Sequence, residues 1–176
     1  MKEKDLSIFL LVAAVAVGLT YSVILFMPSS RDNISLFSVP GLSSLPELST
    51  EGFTQASVSV AQNELYFVTN CHVLAMSISE TQALSIALGA ENAMLKRPLT
   101  HDLIRDMSDW LGIEVLLVKI DNFTDSIYRA KLVMKHGKDL VVLDSRPSDA
   151  VAIAVRKGTS IYVKDDILNK YAEYTC

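Results

Sequence analysis

The folded part of this chain is expected to be α+β: a single compact domain with a mixed, largely antiparallel sheet and three to four helices, preceded by one transmembrane helix. Three observations predict it. Strand-like runs follow one another in groups punctuated by isolated helices, which is not the regular alternation of a parallel βαβ wind. Residues 53–176 are enough for one core and too few for two. Finally, Leu6 to Met27 is an unbroken uncharged run of 22 residues in a chain of 176, and it accounts for the high mean hydropathy of +0.31. Outside that run the apolar share is roughly 45%, ordinary for a globular domain, so disorder, collagen-like repeats and a multi-span transporter are excluded.

In order along the chain, residues 1–5 are a short charged flank and residues 6–27 a signal anchor. As a helix the run reaches about 33 Å against a hydrocarbon core of about 30 Å. A cleaved signal peptide is the competing reading, since Lys2 and Lys4 form a basic start. The run exceeds the usual apolar region of such peptides, and Phe26-Met27-Pro28 offers no small-residue cleavage site. Lys2 and Lys4 precede the span and only Arg31 follows closely, so the N-terminus is placed in the cytoplasm and the folded domain outside it. Residues 28–52, with Pro28, Pro40, Pro46, Gly41, Gly52 and many serines, read as a flexible linker; Leu36, Phe37, Val39, Leu42 and Leu45 could instead lie on the membrane or on the domain.

In the domain, Gln55 to Val60 alternates as a half-buried strand, and Leu65 to Val68 and Cys71 to Ile78 continue the strand region across a turn at Thr69-Asn70. Ser79 with Gln82 makes a capping box for a helix whose inner face is Ala83, Leu84, Ile86, Ala87 and Leu88. Thr100 is the expected N-cap of a second helix, with Asp102 in its positive first turn and Gly112 at its end. Ile113 to Ile120, Ile127 to Met134 and Leu140 to Leu143 are three consecutive antiparallel strands, joined by Asp121 to Asp125 and by the His136-Gly137-Lys138 hairpin. A third helix spans Ala150 to Lys157 and stops at Gly158. Ile161 to Val163 is a short strand, and Asp165 to Tyr171 a last helix.

Two segments are specific in combination: Arg97-Pro-Leu-Thr-His-Asp-Leu103 and Asp144-Ser-Arg-Pro-Ser-Asp-Ala-Val-Ala-Ile-Ala-Val155, with Ser79-Glu80-Thr81-Gln82-Ala83 upstream and Ser160-Ile161-Tyr162-Val163 downstream. With them the chain resembles the bifunctional nuclease domain family over roughly residues 54–171. The resemblance implies activity on RNA and DNA. Ala75-Met76-Ser77-Ile78-Ser79 departs from the Pro-Ile-Trp-Ile-Gly usual there, and Thr159 to Val163 from Ala-Pro-Ile-Phe-Val.

Phosphodiester hydrolysis needs an activated water, stabilisation of phosphoryl charge and help for the leaving oxygen. Carboxylates holding Mg²⁺ or Mn²⁺ beside a His or Arg supply all three. The catalytic candidates are His101, Asp102, Asp144, Arg146 and Asp149, and the metal candidates Glu80, Asp144 and Asp149, each at a strand end or helix start. His101 is expected as acid or base and Arg146 as phosphate clamp. The alternatives stay open: Glu80, Asp102 and Asp149 suit the first turn of any helix, and Asp144 with Arg146 could pin a corner as an ion pair. His72 and His136 lack ligand spacing. No Gly-rich phosphate loop, zinc-spaced Cys pair or nucleophile elbow occurs.

The domain carries 13 Lys and Arg against 15 Asp and Glu, so no broad basic surface grips nucleic acid. Cys71 and Cys176 could pair outside the cytoplasm. The expected partners are nucleic acid as substrate, the bilayer through residues 6–27, and a second copy of the chain. The expected function is a membrane-anchored, metal-assisted nuclease; the alternative is a non-catalytic, membrane-tethered binding or scaffolding module on the same fold.

Overall fold

The computed structural model describes residues 45–176. The expected flank, signal anchor and most of the linker lie outside the described residues. Among those described, no helix is long and apolar enough to cross a membrane.

Eight strands and four helices form one domain: β1 (Phe53–Ala61), β2 (Glu64–Val68), β3 (His72–Ser77), α1 (Glu80–Ala90), α2 (Thr100–Trp110), β4 (Ile113–Thr124), β5 (Ile127–His136), β6 (Asp139–Ser145), α3 (Pro147–Lys157), β7 (Ile161–Lys164), α4 (Asp165–Tyr171) and β8 (Glu173–Tyr174). The sheet order is β6-β5-β4-β7-β1-β2-β3-β8. Only β4 and β7 pair in parallel; every other neighbour is antiparallel. The sheet is therefore mixed and largely antiparallel, as the grouped strand runs require.

The core is built on β4 and α3. Val118 and Ile120 of β4, Ala130 of β5 and Val163 of β7 are fully buried, as are Leu65 and Phe67 of β2. Against them lies α3, buried from Pro147 through Arg156 except at Asp149. A helix that is apolar nearly all round belongs inside a domain, and its small Ala150, Ala152 and Ala154 let neighbours approach closely. Both α1 and α2 pack on α3, so three helices converge.

Several boundaries differ from expectation. The N-cap position of α2 is Leu99, not Thr100. The Asp102 carboxylate, third in the helix, accepts the Leu99 N–H at 2.7 Å, the half of a capping box that reaches back to the N-cap backbone. The third helix begins earlier, at Pro147, whose missing N–H is harmless at a first helical position. On α1 the inner face is Ala83, Ser85, Ile86 and Gly89, while Leu84 is exposed. The turn expected over Asp121 to Asp125 shrinks to Asp125-Ser126, both with positive φ, and the strands extend to meet it. The last residues of the expected linker form a turn, Leu48 N–H to Leu45 O, and Lys119 Nζ, buried on β4, donates to the Ser49 and Pro46 carbonyls. Strand β8 was not foreseen. It is two residues long, paired to β3 and tethered by a Cys71–Cys176 disulfide.

Candidate functional site

The first turns of α1, α2 and α3 meet at one corner. Gln82, third in α1, donates from Nε2 to Ser148 Oγ, second in α3, at 2.9 Å. His101, second in α2, sits between the other two helices: Nδ1 is 2.9 Å from Ser85 Oγ of α1, and Nε2 is 3.6 Å from Asp149 Oδ1 of α3. Convergent helix N-termini favour an anion, because their free N–H groups and dipoles point the same way.

Asp149 is also held by Arg146, whose Nε and Nη2 donate to the two carboxylate oxygens at 2.7 and 3.1 Å. This fork spans the N-cap and third residue of α3. It leaves the guanidinium in solvent, with its side chain 71% exposed, while His101 is 16% exposed. The His101 imidazole is lowered from its ordinary pKa chiefly by desolvation; Asp149 acts to raise it and Arg156 to lower it further. It is therefore neutral at pH 7, the form a base requires.

Beneath this corner is a buried ion pair. Arg156 of α3 donates from Nε to Asp102 Oδ1 at 2.7 Å, and from Nη1 to the carbonyls of Ser85 and Ala152 at 2.9 and 2.8 Å. Both side chains are essentially excluded from solvent. Burial pushes the Asp102 carboxyl up, but the hydrogen bonds from Arg156 and Leu99 and the charge of Arg156 outweigh it and hold the group below its usual pKa. Arg156 thus ties α1 and α2 to α3 directly below His101. Gly89 makes the approach possible: a Cβ there would lie 2.5 Å from Arg156 Nη1 and 2.8 Å from Val155 Cγ2.

The structure thus brings His101, Arg146 and Asp149 together at the surface and turns Asp102 inward as their support. Asp144 stands apart from them on β6, largely exposed, with an oxygen 3.6 Å from Arg129 Nη1. Glu80 opens α1 and is exposed. Among the described residues no three His, Cys, Asp or Glu side chains are grouped to hold a metal ion. Asp149 is engaged by Arg146 and Asp144 faces Arg129, so Glu80, Asp144 and Asp149 are not a ready Mg²⁺ or Mn²⁺ ligand set in this arrangement. His72 packs edge-on against Tyr174 and His136 is exposed.

The sequence analysis gave Ser85, Gln82, Ser148 and Arg156 no part in the site. Two of them left a signal. Arg156 directly follows the apolar run Ala150–Val155, and Ser85 interrupts the apolar face of α1; a polar group at such a position needs a buried partner.

The family model of the bifunctional nuclease domain matches residues 65–175. An uncharacterized protein of Mycobacterium tuberculosis is 38% identical over 91 residues, covering 52% of this chain and 54% of its own length. Bifunctional nuclease 2 of Arabidopsis thaliana is 34% identical over 106 residues, covering 58% of this chain and 31% of its own. Bifunctional nuclease 2 of Oryza sativa subsp. japonica is 31% identical over 94 residues, 52% of this chain and 29% of that protein. The chain thus spans about half the length of the first of these relatives and less than a third of the plant proteins.

Proposed function

The chain belongs to the bifunctional nuclease domain family, and on that footing we propose that it hydrolyses phosphodiester bonds of RNA or DNA at the corner where α1, α2 and α3 begin. The observation that carries this reading is His101 held between Ser85 and Asp149, mostly buried with one edge open to solvent, beside the exposed Arg146.

In the tautomer that serves as a base, His101 Nδ1–H donates to Ser85 Oγ and the Nε2 lone pair lies on the side of Asp149, 3.6 Å from its Oδ1. Nε2 takes a proton from the attacking water as the water oxygen bonds to phosphorus, and the imidazolium formed is stabilised by Asp149. The phosphorus–oxygen bond to the leaving group breaks, and that oxygen takes a proton from solvent. Arg146, the most exposed member of the cluster, turns its fork from Asp149 to the phosphoryl oxygens and pairs with them in two-pronged fashion. No step is routed through a metal.

The domain lies on the outer side of a membrane in this reading, tethered through residues 6–27. Lys2 and Lys4 ahead of the apolar run support that orientation, and so does the Cys71–Cys176 disulfide, a bond that persists in oxidising compartments.

The test is cleavage of single-stranded RNA and DNA by the full chain, with Mg²⁺, Mn²⁺ or chelator present. Cleavage that falls at least about tenfold in Asp149→Asn supports the site. Cleavage unchanged in that variant, or no cleavage under any metal condition, overturns it. Asp144→Ala in the same series, with the metal arms, tests the metal role expected of that residue.

A further inference from the structure

We propose that Asn122 is a modification site, its side-chain amide being the acceptor for an N-linked oligosaccharide. The inference rests on the outward orientation of the domain given above and on no part of the catalytic reading. Of the asparagines in the described residues, only Asn122 has a hydroxyl residue two positions on, in Asn122-Phe123-Thr124, the spacing that such acceptors require in exported proteins. A three-residue pattern is common in sequences, and the place of this one in the fold is what makes it an acceptor.

Asn122 lies where the β4–β5 hairpin leaves the sheet. Pairing of β4 with β7 stops at Ile120–Val163, and pairing of β5 with β6 stops at Ala130–Ser145. From there β4 and β5 continue alone to the two-residue turn at Asp125-Ser126. A two-stranded ribbon standing clear of its neighbours is open to a large membrane-bound transferase even after the domain has folded. The side chain also points the right way. Asn122 is the cross-strand partner of Arg129, and Tyr128 and Ala130, on either side of Arg129, pack on the core. Neighbouring residues of a strand alternate between faces and cross-strand partners share one, so Arg129 and Asn122 face away from the core. The helices pack on the core side, so a glycan on Asn122 projects from the opposite face and leaves His101 and Arg146 open.

The chemistry of the pair fits the transfer. Asn122 and Thr124 are both exposed, and Thr124 Oγ1–H donates to Asn122 Oδ1 at 2.9 Å, while Nδ2 has no hydrogen-bond partner among the described residues. A hydroxyl on Oδ1 draws charge onto that oxygen and makes the amide N–H more acidic, as loss of an Nδ2 proton requires. In the transfer, Nδ2 bonds to the anomeric carbon of an oligosaccharide carried on a polyprenyl phosphate lipid. The bond from that carbon to the phosphate oxygen breaks, the lipid phosphate leaves with the electron pair, and Nδ2 gives up one proton.

The experiment uses the full chain recovered from the membranes of its own cells. Trypsin releases Ile120–Arg129 as one peptide, and tandem mass spectrometry should find it carrying sugar on Asn122. Asn122→Gln and Thr124→Val should each abolish the sugar, and Thr124→Ser, which keeps the hydroxyl, should retain it. Both positions are exposed, so no core contact is removed. Orientation is read separately, by a membrane-impermeant maleimide added to intact cells bearing Lys138→Cys, in the β5–β6 turn. The native cysteines are paired, so that thiol is unique. Labelling of intact cells together with an unmodified Ile120–Arg129 peptide overturns the glycan proposal alone. Labelling only after the membrane is opened overturns the orientation and the glycan with it. Sugar that persists in Thr124→Val also overturns the proposal, because the hydroxyl then has no part in it.

Discussion

Asp102→Asn should be among the most damaging single substitutions in the domain, although it changes almost nothing in shape. Asp102 is 2% exposed and its partner Arg156 8%. Removing the carboxylate charge leaves a guanidinium buried without compensation, which costs about 3 kcal/mol at the low end for such pairs. The amide adds a second fault. Its oxygen can take over the Arg156 Nε bond or the Leu99 N–H bond but not both, and the group that loses faces an NH₂, at about 1 kcal/mol or more. A loss of about 4 kcal/mol corresponds to a fall in Tm on the order of 10 °C for a chain this long. Near-UV circular dichroism during thermal unfolding measures it. The pH dependence has a definite sign. The carboxyl is held below its ordinary pKa in the fold, so its stabilisation is present above about pH 4 and is lost as pH falls through the folded-state value. The wild type should show that acid limb and the Asn variant should not. Replacing both partners, as Asp102→Leu with Arg156→Met, should recover part of the loss. A change under about 1 kcal/mol in Asp102→Asn refutes the argument that this pair holds the three helices together.

Other expectations are as specific. Gly89→Ala should destabilise by about 1–3 kcal/mol although alanine favours helices by about 1 kcal/mol, because its methyl would strike Arg156 and Val155; thermal unfolding reads the sign directly. Reduction of Cys71–Cys176, 105 residues apart, should cost about 2–4 kcal/mol and expose the β3–β8 amides to hydrogen exchange, leaving those of β4 protected. In the pH profile of kcat/KM, the acid limb of the wild type should lie below about pH 6.5, since His101 is lowered by burial. Asp149→Asn removes a charge that raises His101, so whatever activity it keeps should have that limb at still lower pH.

The sheet was legible because its strands announce themselves through period-two patterning and turn residues: the hairpin at Gly137 and the buried run Val115–Ile120 need no tertiary information. The motif segments also located the site, since Arg97–Leu103 and Asp144–Val155 each open a helix at the same corner. Partnership was harder to read. Whether Asp102 faces solvent or Arg156, 54 residues away, depends on a crossing of α2 over α3 that no local pattern encodes. The same crossing turned the apolar stripe of α2, Leu103, Met107 and Trp110, outward, against the usual rule. Asp144 and Asp149 are close in sequence, yet the strand-to-helix corner sends one toward Arg129 and the other toward His101.

The central claim is that His101 acts as the base in phosphodiester cleavage. The most direct measurement compares single-turnover cleavage of a labelled single-stranded RNA at pH 7 by the full chain and by His101→Gln, under the metal condition that serves the wild type best. The account predicts a fall of at least about 10²-fold, the usual worth of a positioned acid or base, with Tm nearly unchanged. Equal rates in the two proteins would contradict it.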